Sequence, residues 1–579
     1  MEKTTFLTLK KNAKQNMDDL KKYKIAIIGD CSTQHLATAL KGYGYQEGYN
    51  LDIFDSDYNQ IDSQIMDDSS ELYAHEPDVV LIYMSTEKLY EKFCETSLEN
   101  RSNFADLTIQ RISNYWAGLN SKTKTNILQF NFIEIDDRIF GNYANEVKNS
   151  FIYQLRKLNV LLMELASDVK NAFLIDLSTI QNTYGREAVH DDKLYYIAKM
   201  PLSTNILPEV AKQVVSVIKS LNGKFKKCAI LDLDNTLWGG VIGDDGLKSI
   251  QIGELGLGHA FSEFQMWLKE LKNRGIILAV CSKNNEDTAK EPFEKHPEMV
   301  LRLDDISMFV ANWENKAANI KFIQETLNIG MDSMVFIDDN PFERNSVKAM
   351  IPDITVPELP EDPALYLSYL KDLNLFETAS YSENDKDRTK QYQAQAQRAT
   401  MQSSFENFDD YLKSLEMEAI AHPFDEFEFP RISQLTQRSN QFNLRTIRYT
   451  EAEIEEIAKN DKYLTLSFSL KDKFGDYGLI SVVIMEKQDD KTLFLNTWLM
   501  SCRVLKRGME EFIINKVIET AKENGFETVI GEYIKTPKNT MVEEIYEKLG
   551  FENKGNGKFV ADVNNFKFNK TNIELAARP

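Results

Sequence analysis

KKCAILDLDNTLWGGVI, residues 226–242, is the stretch that decides the fold of this chain. Its apolar run from Cys228 to Leu231 predicts a buried β-strand, which Asp232 and Asp234 follow directly. Carboxylates at the carboxyl end of a buried strand lie where open α/β sheets bind their ligands. Two such anions repel each other unless a cation lies between them, and hard oxygen ligands suit Mg²⁺. The stretch predicts a cation site, although a strand followed by an acidic turn is the plainer interpretation of these residues alone.

Three later segments add polar groups of the same kind. GIILAVCSKNN (275–285) predicts a second strand that ends at Ser282, and SMVFIDDNPFER (333–344) predicts a third that ends at Asp338 and Asp339. Between them, NWENKAANI (312–320) begins a helical pattern at Lys316. In this order, the four segments resemble the motifs of the haloacid dehalogenase (HAD) superfamily, whose members are mostly phosphohydrolases.

The resemblance implies a role for each of these side chains. Asp232 would attack phosphorus and form an aspartyl-phosphate, and Asp234 would protonate the leaving oxygen and then activate water. Ser282 would donate a hydrogen bond to the phosphoryl group, while Lys316 and Mg²⁺ would neutralise its growing charge. The metal ligands implied are Asp232, Asp234, Asp338 and Asp339.

Spacing within this region bears on the substrate. Predicted strands and helices of the sheet fill the intervals from Asp232 to Ser282 and from Ser282 to Lys316, so no cap domain fits between them. An uncapped site is open and admits large substrates. The glycine-rich stretch 239–258 forms either a flap over the site or ordinary turns. Lys283 is either a further phosphate contact or a surface lysine.

The whole chain has the composition of a soluble multidomain protein. Its 579 residues predict about three or four domains, and a net charge of -21 argues against general nucleic-acid binding. No apolar run approaches the length of about 20 residues that a membrane span needs, and the first residues lack a signal-peptide core. The five cysteines show no CxxC spacing, which favours a reducing compartment and predicts a cytoplasmic location.

Residues 1–222 alternate short apolar strands with amphipathic stretches, a pattern that predicts a parallel sheet covered by helices. The first strand ends in Gly29-Asp30-Cys31-Ser32, which resembles the Gly-Asp-Ser block of SGNH hydrolases with Cys31 at the nucleophile position. Asn131 would be the oxyanion-hole residue, and the nearest match to the later DxxH block is Glu187 to His190. The domain is therefore either a hydrolase or a non-hydrolytic module that binds a partner or gates the phosphatase.

Residues 363–417 are mostly polar and compatible with helix, and they predict a helical connector that follows the HAD-like domain of residues 223–362. Arg388, Tyr392 and Arg398 lie in this segment. They either face a phosphate pocket or belong to solvated helix faces, and the solvated faces are the simpler expectation.

Residues 418–579 read as strands followed by an amphipathic helix and resemble the GNAT acyltransferase fold, in which a loop and a helix N-terminus cradle the pyrophosphate of coenzyme A. The loop would be Arg503, Lys506, Arg507 and Gly508 with the residues between them. Lys506 stands where the first loop glycine belongs, which favours a phosphopantetheine arm over coenzyme A. The family's later motif is matched by Asn539, Tyr546, Gly550 and Phe551.

Cys502 lies at the end of an apolar strand, next to Arg503 and close to Lys506 and Arg507. Neighbouring cations favour the reactive thiolate, which makes Cys502 a candidate nucleophile. A small core cysteine is the competing interpretation.

The HAD motifs combined with TQRSNQFNLRTIRYT (436–450), KDKFGDYG (471–478) and MSCRVLKRGME (500–510) resemble the FkbH-like family. Members of that family couple a HAD domain to acyl transfer, in some pathways of a glyceryl unit from a bisphosphoglycerate through an enzyme thioester. The resemblance implies Mg²⁺, a catalytic cysteine, a phosphorylated small-molecule acyl donor and an acyl carrier protein. Arg503, Lys506 and Arg507 would face the acidic carrier.

A polar cluster of Arg438, Asn440, Gln441 and Asn443 lies between apolar stretches. It binds either a substrate carboxylate, a phosphate or a pantetheine arm, or it is a polar loop that caps a helix.

Two functions remain open on the sequence alone. The first is a bifunctional enzyme, which dephosphorylates its substrate and transfers an acyl or glyceryl unit to a thiol. The second is a phosphatase whose flanking domains are binding or scaffold modules in polysaccharide or secondary-metabolite biosynthesis. For the first, one hypothesis is that the C-terminal domain folds over the open face of the HAD-like domain. The fold class predicted is α/β multidomain, with an SGNH/flavodoxin-like parallel sheet, a capless HAD Rossmannoid domain and a GNAT-like mixed domain.

Overall fold

A computed structural model of the chain describes residues 4–381, 388–402, 405 and 407–577. The chain divides into two compact units, Met1–Ile218 and Lys219–Pro579. The finer domain boundaries inferred from composition, after residues 222, 362 and 417, stay predictions.

The first unit is built on a parallel sheet of five strands in the order β2-β1-β3-β4-β5. All five residues of the central β3 are buried, as expected for a strand that helices cover on both faces. The strands are β1 (Lys21–Gly29), β2 (Tyr49–Asp55), β3 (Val79–Tyr83), β4 (Asn126–Phe130) and β5 (Ala172–Ile175).

Amphipathic helices cover this sheet. In α7 the buried residues Phe151, Leu155, Leu158 and Leu162 recur at helical spacing, and the side chain of Ser150 caps the first turn. The helices are α1 (Phe6–Asn12), α2 (Gln34–Gln46), α3 (Ile61–Met66), α4 (Glu71–His75), α5 (Thr86–Glu95), α6 (Phe104–Lys122), α7 (Phe151–Asp168), α8 (Leu177–Tyr184), α9 (Arg186–Val189), α10 (Asp192–Ala198) and α11 (Leu207–Leu221).

The second unit contains a four-stranded parallel sheet in the order β8-β7-β6-β9. Leu231 at the end of β6 pairs with Val280 of β7 and Ile337 of β9, so the carboxyl ends of these three strands are level. This edge is called the carboxyl edge, and the opposite one the amino edge. The strands are β6 (Cys228–Leu231), β7 (Ile277–Ser282), β8 (Met308–Ala311) and β9 (Met334–Ile337).

Among the described residues, the chain between β6 and β7 forms only two helices, in agreement with a capless domain. The glycine-rich stretch is closed by an antiparallel bridge between Gly239 and Gln251, which makes it a small flap rather than a series of open turns. The helices of this part are α12 (Ile242–Asp245), α13 (Leu257–Asn273), α14 (Glu286–Lys295), α15 (Lys316–Leu327), α16 (Pro341–Met350) and α17 (Tyr366–Leu373).

The predicted connector contributes α18 (Arg388–Gln402) and α19 (Phe408–Ser414). The expectation that α18 presents solvated faces is wrong. Tyr392 is buried against the four-stranded sheet, and Arg398, only 2% exposed, donates two hydrogen bonds of 2.7 Å to the carboxylate of Asp472. The helix therefore packs between two sheets, because its buried arginine finds a buried partner.

The remaining sheet has eight strands in the order β15-β16-β14-β13-β12-β11-β10-β17 and is mostly antiparallel. The parallel pair β13–β14 is hydrogen-bonded only from Thr492 to Phe494, and α22 connects the two strands. Beyond Phe494 they part, and Leu499 pairs instead with Asn443. The strands are β10 (Met417–His422), β11 (Tyr463–Asp472), β12 (Gly475–Lys487), β13 (Thr492–Met500), β14 (Thr528–Glu532), β15 (Glu552–Gly555), β16 (Lys558–Asp562) and β17 (Ile573–Leu575).

The helices of this sheet are α20 (Phe429–Arg438), α21 (Glu451–Lys459), α22 (Met509–Glu523) and α23 (Ile545–Lys548). Two parallel sheets and a mixed third sheet confirm the predicted multidomain α/β class.

Candidate functional site

The carboxyl edge brings together the predicted residues of three strands and one helix. Lys316, the first residue of α15, places its Nζ 3.1 Å from Asp232 Oδ2 and 2.6 Å from Asp338 Oδ2. Lys316, Asp232 and Asp338 are all nearly buried. Both carboxylates stabilise the buried ammonium between them, and its charge stabilises each buried carboxylate in turn.

Asp232, Asp338 and Asp339 each offer one carboxylate oxygen within 4.8 Å of the others. Asp232 Oδ1 is buried without a hydrogen-bond partner, as a metal-ligating oxygen would be before the ion binds. Burial and the charge of Asp232 raise the pKa of Asp338 to about 6 and also raise the pKa of Asp339. Crowded hard oxygens that repel one another fit a divalent cation such as Mg²⁺.

The same carboxylates keep the Lys316 side chain protonated. Burial by itself lowers the pKa of Lys316, but Asp232 and Asp338 outweigh it and raise that pKa above its ordinary value. The lysine is therefore a permanent cation at the carboxyl edge.

The carboxylate of Asp234 points away from this group. Its Oδ1 accepts hydrogen bonds of 2.9 Å from Trp238 Nε1 and from the backbone N–H of Ile242, and its Oδ2 accepts one from Asn284. Burial raises its pKa, as an acid that must carry a proton requires. The assignment of Asp234 as a metal ligand stays a prediction, since its side chain lies outside the three-carboxylate group.

Ser282 is buried at the end of β7, and the neighbouring Lys283 pairs with Glu343 at 2.6 Å. Sequence reasoning missed three supporting residues: Thr236 bonds Asp339, Asn284 bonds Asp234, and Arg344 donates to the carbonyl of Asp338. Asn284 lies two residues after the end of β7, so its position near a strand end was the available signal.

A second polar site lies at the amino edge of the same sheet. A cavity of about 260 Å³ opens between this edge and the mixed sheet, where β13 and β14 part, and it is called the Cys502 cavity. The predicted residues Arg388, Tyr392, Arg438, Asn440, Gln441, Cys502 and Arg503 line it together, although they are far apart in sequence. The remaining members of the polar cluster and the connector, Asn443 and Arg398, are absent from the lining described for this cavity.

Among the described residues, the lining of the Cys502 cavity holds more cations than carboxylates. Its cations are Lys227, Arg388, Arg431, Arg438, Arg503 and Lys538, and its one carboxylate in the described part of the chain is Asp332, which pairs with Lys538. Burial lowers the pKa of Lys227 to about 8, and Arg388 and Arg438 act in the same direction, whereas Cys502 and Asp332 act against it.

The two sites lie at opposite ends of the strands of the four-stranded sheet, so the length of a strand separates them. Lys227 precedes β6 and Asp232 follows it, so five residue steps of about 3.3 Å put them about 17 Å apart. Helix α15 gives a second measure, since its 12 residues from Lys316 to Leu327 span about 18 Å. The side chain of its C-cap, Asn328, donates to the carbonyl of Cys502. The hypothesis that the C-terminal domain folds over the open face is wrong, because the domain packs on the amino edge.

The predicted cofactor loop is already occupied by a carboxylate. Glu510, in the first turn of α22, is 8% exposed and accepts a 3.1 Å hydrogen bond from the backbone N–H of Lys506. Burial raises the pKa of Glu510, while the backbone N–H groups of Lys506 and Met509 act against that rise. Gly508 caps the helix in a left-handed conformation, φ 82°, that suits glycine. An internal anion thus takes the donors that a pyrophosphate would need.

The arginines of this loop are buried. Arg503 bonds Gln391, Ser501 and the carbonyl of Tyr477, and Arg507 bonds Tyr477 and Gln395. The expectation that both face an acidic carrier is therefore contradicted, and of the three predicted cations only Lys506 is exposed.

Other residues of the motifs have structural roles. Asn443 and Asn539 are fully buried, and Asn539 donates hydrogen bonds to the carbonyls of Asn443 and Ile534. Tyr546 packs in the core against Trp498 and Phe559. These residues fix the loops that frame the Cys502 cavity.

In the first unit, the residues of the SGNH-like pattern do not form the expected arrangement. His190 pairs at 3.1 Å with Glu87 and with Asp192, not with Glu187. Burial raises the pKa of the Cys31 thiol, and Asp30 and Glu87 raise it further. Asn131 donates to Asp176 and accepts from Ser178 at the start of α8. These contacts favour a non-hydrolytic module, since a protonated thiol is a poor nucleophile.

Within the described residues, no helix combines the length and the apolar character that crossing a membrane requires.

The family model of the FkbH N-terminal domain matches residues 24–219. The crystal structure of the N-terminal part of the protein BF1531 from Bacteroides fragilis, containing a phosphatase domain complexed with Mg, is 52% identical to this chain. The match covers 65% of this chain and 100% of that chain, with a TM-score of 0.62. No curated protein matches the chain.

Two acetyltransferases are similar to smaller parts of the chain. The ribosomal-protein-S18-alanine N-acetyltransferase from Escherichia coli is 15% identical, covering 24% of this chain and 90% of its own, with a TM-score of 0.20. An N-acetyltransferase from Staphylococcus aureus Mu50 is 16% identical, covering 25% and 99%, with a TM-score of 0.20. Neither score carries an argument about activity.

Proposed function

The chain belongs to the FkbH-like family, and from this premise we propose that it is a Mg²⁺-dependent phosphatase whose nucleophile is Asp232. The observation that carries the proposal is the buried, unpartnered Oδ1 of Asp232 beside Lys316, Asp338 and Asp339. The Mg-complexed relative from Bacteroides fragilis, 52% identical, supports the same metal here.

In the proposed reaction, Asp232 attacks phosphorus, the bond to the leaving oxygen breaks, and Asp234 protonates that oxygen. Asp234 then removes a proton from the water that hydrolyses the aspartyl-phosphate. Lys316 holds the charge of the phosphoryl oxygens, and Ser282 donates a hydrogen bond to one of them. Asp232, Asp338 and Asp339 would hold Mg²⁺, which supplies further positive charge beside the phosphoryl group.

Asp232→Asn tests this half of the proposal. The amide removes the nucleophile with little change of shape, and we expect release of phosphate from p-nitrophenyl phosphate with Mg²⁺ to fall at least about a thousand-fold. Asp353→Asn, which alters an exposed aspartate of the same domain, is the matched control and should keep its activity. Near-normal turnover by Asp232→Asn would refute the assignment.

The second half of the proposal is transfer of an acyl group, of the glyceryl type, to a thiol through Cys502. Support comes from Cys502 lining a cationic cavity together with the polar cluster of residues 438–441. The thiol would attack the carbonyl carbon of a phosphorylated acyl donor, the bond to the phosphate oxygen would break, and phosphate would leave. The acceptor proposed is the phosphopantetheine arm of a carrier protein rather than coenzyme A, because Glu510 occupies the pyrophosphate loop.

One observation favours the alternative, a phosphatase whose flanking domains only bind or scaffold. The thiol and Asp232 lie at opposite edges of the sheet, so one ligand cannot contact both at once. Such modules would serve polysaccharide or secondary-metabolite biosynthesis. A cytoplasmic location stays a prediction.

Intact-mass measurement separates the two functions. The protein is incubated with Mg²⁺, a bisphosphoglycerate and holo carrier protein, and Cys502→Ala serves as the control. A mass increase on the enzyme or the carrier that Cys502→Ala lacks is expected for transfer. Release of phosphate with no adduct on either protein would leave the phosphatase alone.

A further inference from the structure

We propose that Trp313 forms a leaving-group subsite at the carboxyl edge, where its indole stacks against an uncharged, ring-bearing alcohol that is esterified to the phosphate. The alcohol is a sugar or an aryl alcohol, since each presents a flat apolar face to an aromatic side chain. This inference rests on the first half of the proposed function, in which Asp232 attacks phosphorus and Asp234 protonates the leaving oxygen. It adds to that half the class of phosphomonoester that the site accepts.

The indole of Trp313 is exposed to solvent and yet held in one orientation. The residue lies two positions after the end of β8 and is 71% exposed, and its Nε1 donates a 3.0 Å hydrogen bond to the side chain of Asn285. An exposed aromatic face of fixed orientation binds a ligand without a further loss of rotamer freedom. The position is therefore prepared for a flat apolar group.

Two short routes connect this indole to the catalytic group. Asn285 accepts the indole N–H, and the adjacent Asn284 donates a 3.1 Å hydrogen bond to Asp234 Oδ2. Along the chain, Trp313 precedes Lys316 by only three residues. Because Asp234 is the group that protonates the leaving oxygen, the indole lies on the side of the site from which the alcohol departs.

The flap borders the other oxygen of the same carboxylate. The backbone N–H of Ile242 donates to Asp234 Oδ1, and the preceding residue, Val241, has an exposed apolar side chain. Helix α12, which begins at Ile242, contacts α14, whose N-cap is Asn285. Apolar groups of the flap and of the loop after β8 thus flank the path of the alcohol, and no cap domain limits its size.

Exposed carboxylates flank the indole. Glu314 follows Trp313 directly, and Asp287 lies in the first turn of α14, two residues after Asn285. Neither acid has an ion-pair partner within the ranges of the chain that the structure describes. A carboxylate or a second phosphate on the alcohol would be repelled here, whereas an uncharged alcohol would not.

The two lysines that follow β7 do not compensate this charge. Lys283 pairs with Glu343 at 2.6 Å, and Lys290 pairs with Glu286 at 2.5 Å. The reacting phosphate itself meets the cation of Lys316, so the exclusion of anions applies to the leaving group alone.

Four esters of primary alcohols test the proposal with the unaltered protein and Mg²⁺. Benzyl phosphate and glucose 6-phosphate carry an uncharged ring, glycerol 3-phosphate carries no ring, and 3-phosphoglycerate carries a carboxylate. Because all four leaving groups are primary alkoxides, differences in kcat/KM report chiefly how the alcohol is bound. We expect the better ring ester to exceed glycerol 3-phosphate at least about ten-fold in kcat/KM and 3-phosphoglycerate to be the poorest substrate. The ratio of the two ring esters distinguishes an aryl from a sugar alcohol.

Variants of Trp313 locate the subsite. Trp313→Ala should lower kcat/KM for the better ring ester about ten-fold, mainly by raising KM, and leave that for glycerol 3-phosphate within about two-fold. Trp313→Phe keeps a flat ring and should recover most of the loss, which a merely structural role would not predict. Phe322→Ala removes another exposed aromatic side chain, further along α15, and is the matched control. Unchanged circular dichroism shows that each variant is folded.

The charge beside the indole is tested by combining Glu314→Gln with Asp287→Asn. We expect kcat/KM for 3-phosphoglycerate, relative to that for glycerol 3-phosphate, to rise at least about three-fold, with a smaller rise at high salt. Glu325→Gln changes an exposed carboxylate near the opposite end of α15 and should leave this ratio unchanged.

An equal loss for ring and acyclic esters in Trp313→Ala would overturn the proposal, and so would a preference of the unaltered protein for 3-phosphoglycerate over glycerol 3-phosphate. Its failure is distinguishable from failure of the proposed phosphatase. Hydrolysis of p-nitrophenyl phosphate that Asp232→Asn abolishes, with no effect of Trp313→Ala on the ring esters, would keep the phosphatase and reject the subsite. Absence of Mg²⁺-dependent hydrolysis of every ester, p-nitrophenyl phosphate included, would reject both.

Discussion

The two edges of the four-stranded sheet present opposite charges. At the carboxyl edge, aspartates surround one buried lysine, whereas the described lining at the amino edge holds six cations and one aspartate. A single strand, β6, carries both, with Lys227 at one end and Asp232 at the other. Because the four residues between them are apolar and buried, each edge keeps its own electrostatics.

The difference shows what makes each edge a site. Ligands of open α/β sheets bind at the carboxyl ends of the strands, where the polar loops converge, and Asp232 follows that rule. The amino edge becomes a site only because the mixed sheet packs on it and brings Cys502 and Arg503. One site is inherent in the sheet, and the other is created by the contact between two sheets.

The largest effect is expected when each of the two buried lysines, Lys316 and Lys227, is replaced by methionine. Lys316→Met should reduce phosphatase activity about a thousand-fold, because it removes the cation between Asp232 and Asp338. Lys227→Met, the matched change at the amino edge, should leave phosphate release within about two-fold. Rates of p-nitrophenyl phosphate hydrolysis give both numbers.

This pair of variants also tests whether a change at one edge of the sheet affects activity at the other. A hundred-fold loss of phosphatase activity in Lys227→Met, with the fold intact by circular dichroism, would contradict the independence of the two edges.

The contact that creates the amino-edge site depends on a buried pair. Arg398→Met leaves Asp472 without its bidentate partner, and we expect a loss of about 3 kcal/mol in the apparent free energy of unfolding. The double variant Arg398→Met with Asp472→Leu should recover part of this loss, since the stranded carboxylate is removed, and only part, since Arg507 then loses its 3.5 Å ion pair with Asp472. Urea denaturation followed by tryptophan fluorescence measures both, and equal stability of single and wild-type proteins would reject the role of the pair.

The carboxyl edge was predictable because its residues follow short apolar strands. Asp232, Ser282, Asp338 and Asp339 each end such a run, and a parallel sheet brings those ends together. Asn284 and Arg344 were missed because they act through Asp234 and Asp338 rather than on a ligand directly.

The amino edge was not predictable as a whole. The sequence identified Arg438, Asn440 and Cys502 as separate candidates. Their convergence on one cavity depends on how two sheets pack, which no local sequence pattern encodes. Arg398 was expected in solvent for the same reason, since its partner Asp472 is distant in sequence. Glu510 lay within a recognised motif, yet its carboxylate turns back onto the loop only in three dimensions.

A smaller effect concerns the choice of thiol. Glu510→Gln removes the negative charge from the loop at nearly constant shape, so affinity for coenzyme A should rise about ten-fold while affinity for pantetheine stays unchanged. Glu511→Gln on the same helical turn is the matched control. Calorimetric titration measures both ligands, and tight binding of coenzyme A by the unaltered protein would contradict the role of Glu510.

The smallest effect is expected at Asn328, the C-cap of α15, which has φ 51°. Glycine accepts this conformation at least as well, so Asn328→Gly should keep the helix but lose the hydrogen bond to Cys502. We expect acyl transfer to fall about three-fold with phosphatase activity unchanged, as measured by the two assays. A loss of both activities together would mean that the residue supports the fold rather than the thiol.

The opposed positions of Asp232 and Cys502 have a kinetic consequence for a two-step reaction. An acyl group released from one edge reaches the other only through solvent, and its capture then depends on its concentration in solution. Attached to a carrier arm, the same group stays at an effective concentration of about a millimolar near the protein. The throughput of such an enzyme would follow the supply of carrier more closely than the speed of either site.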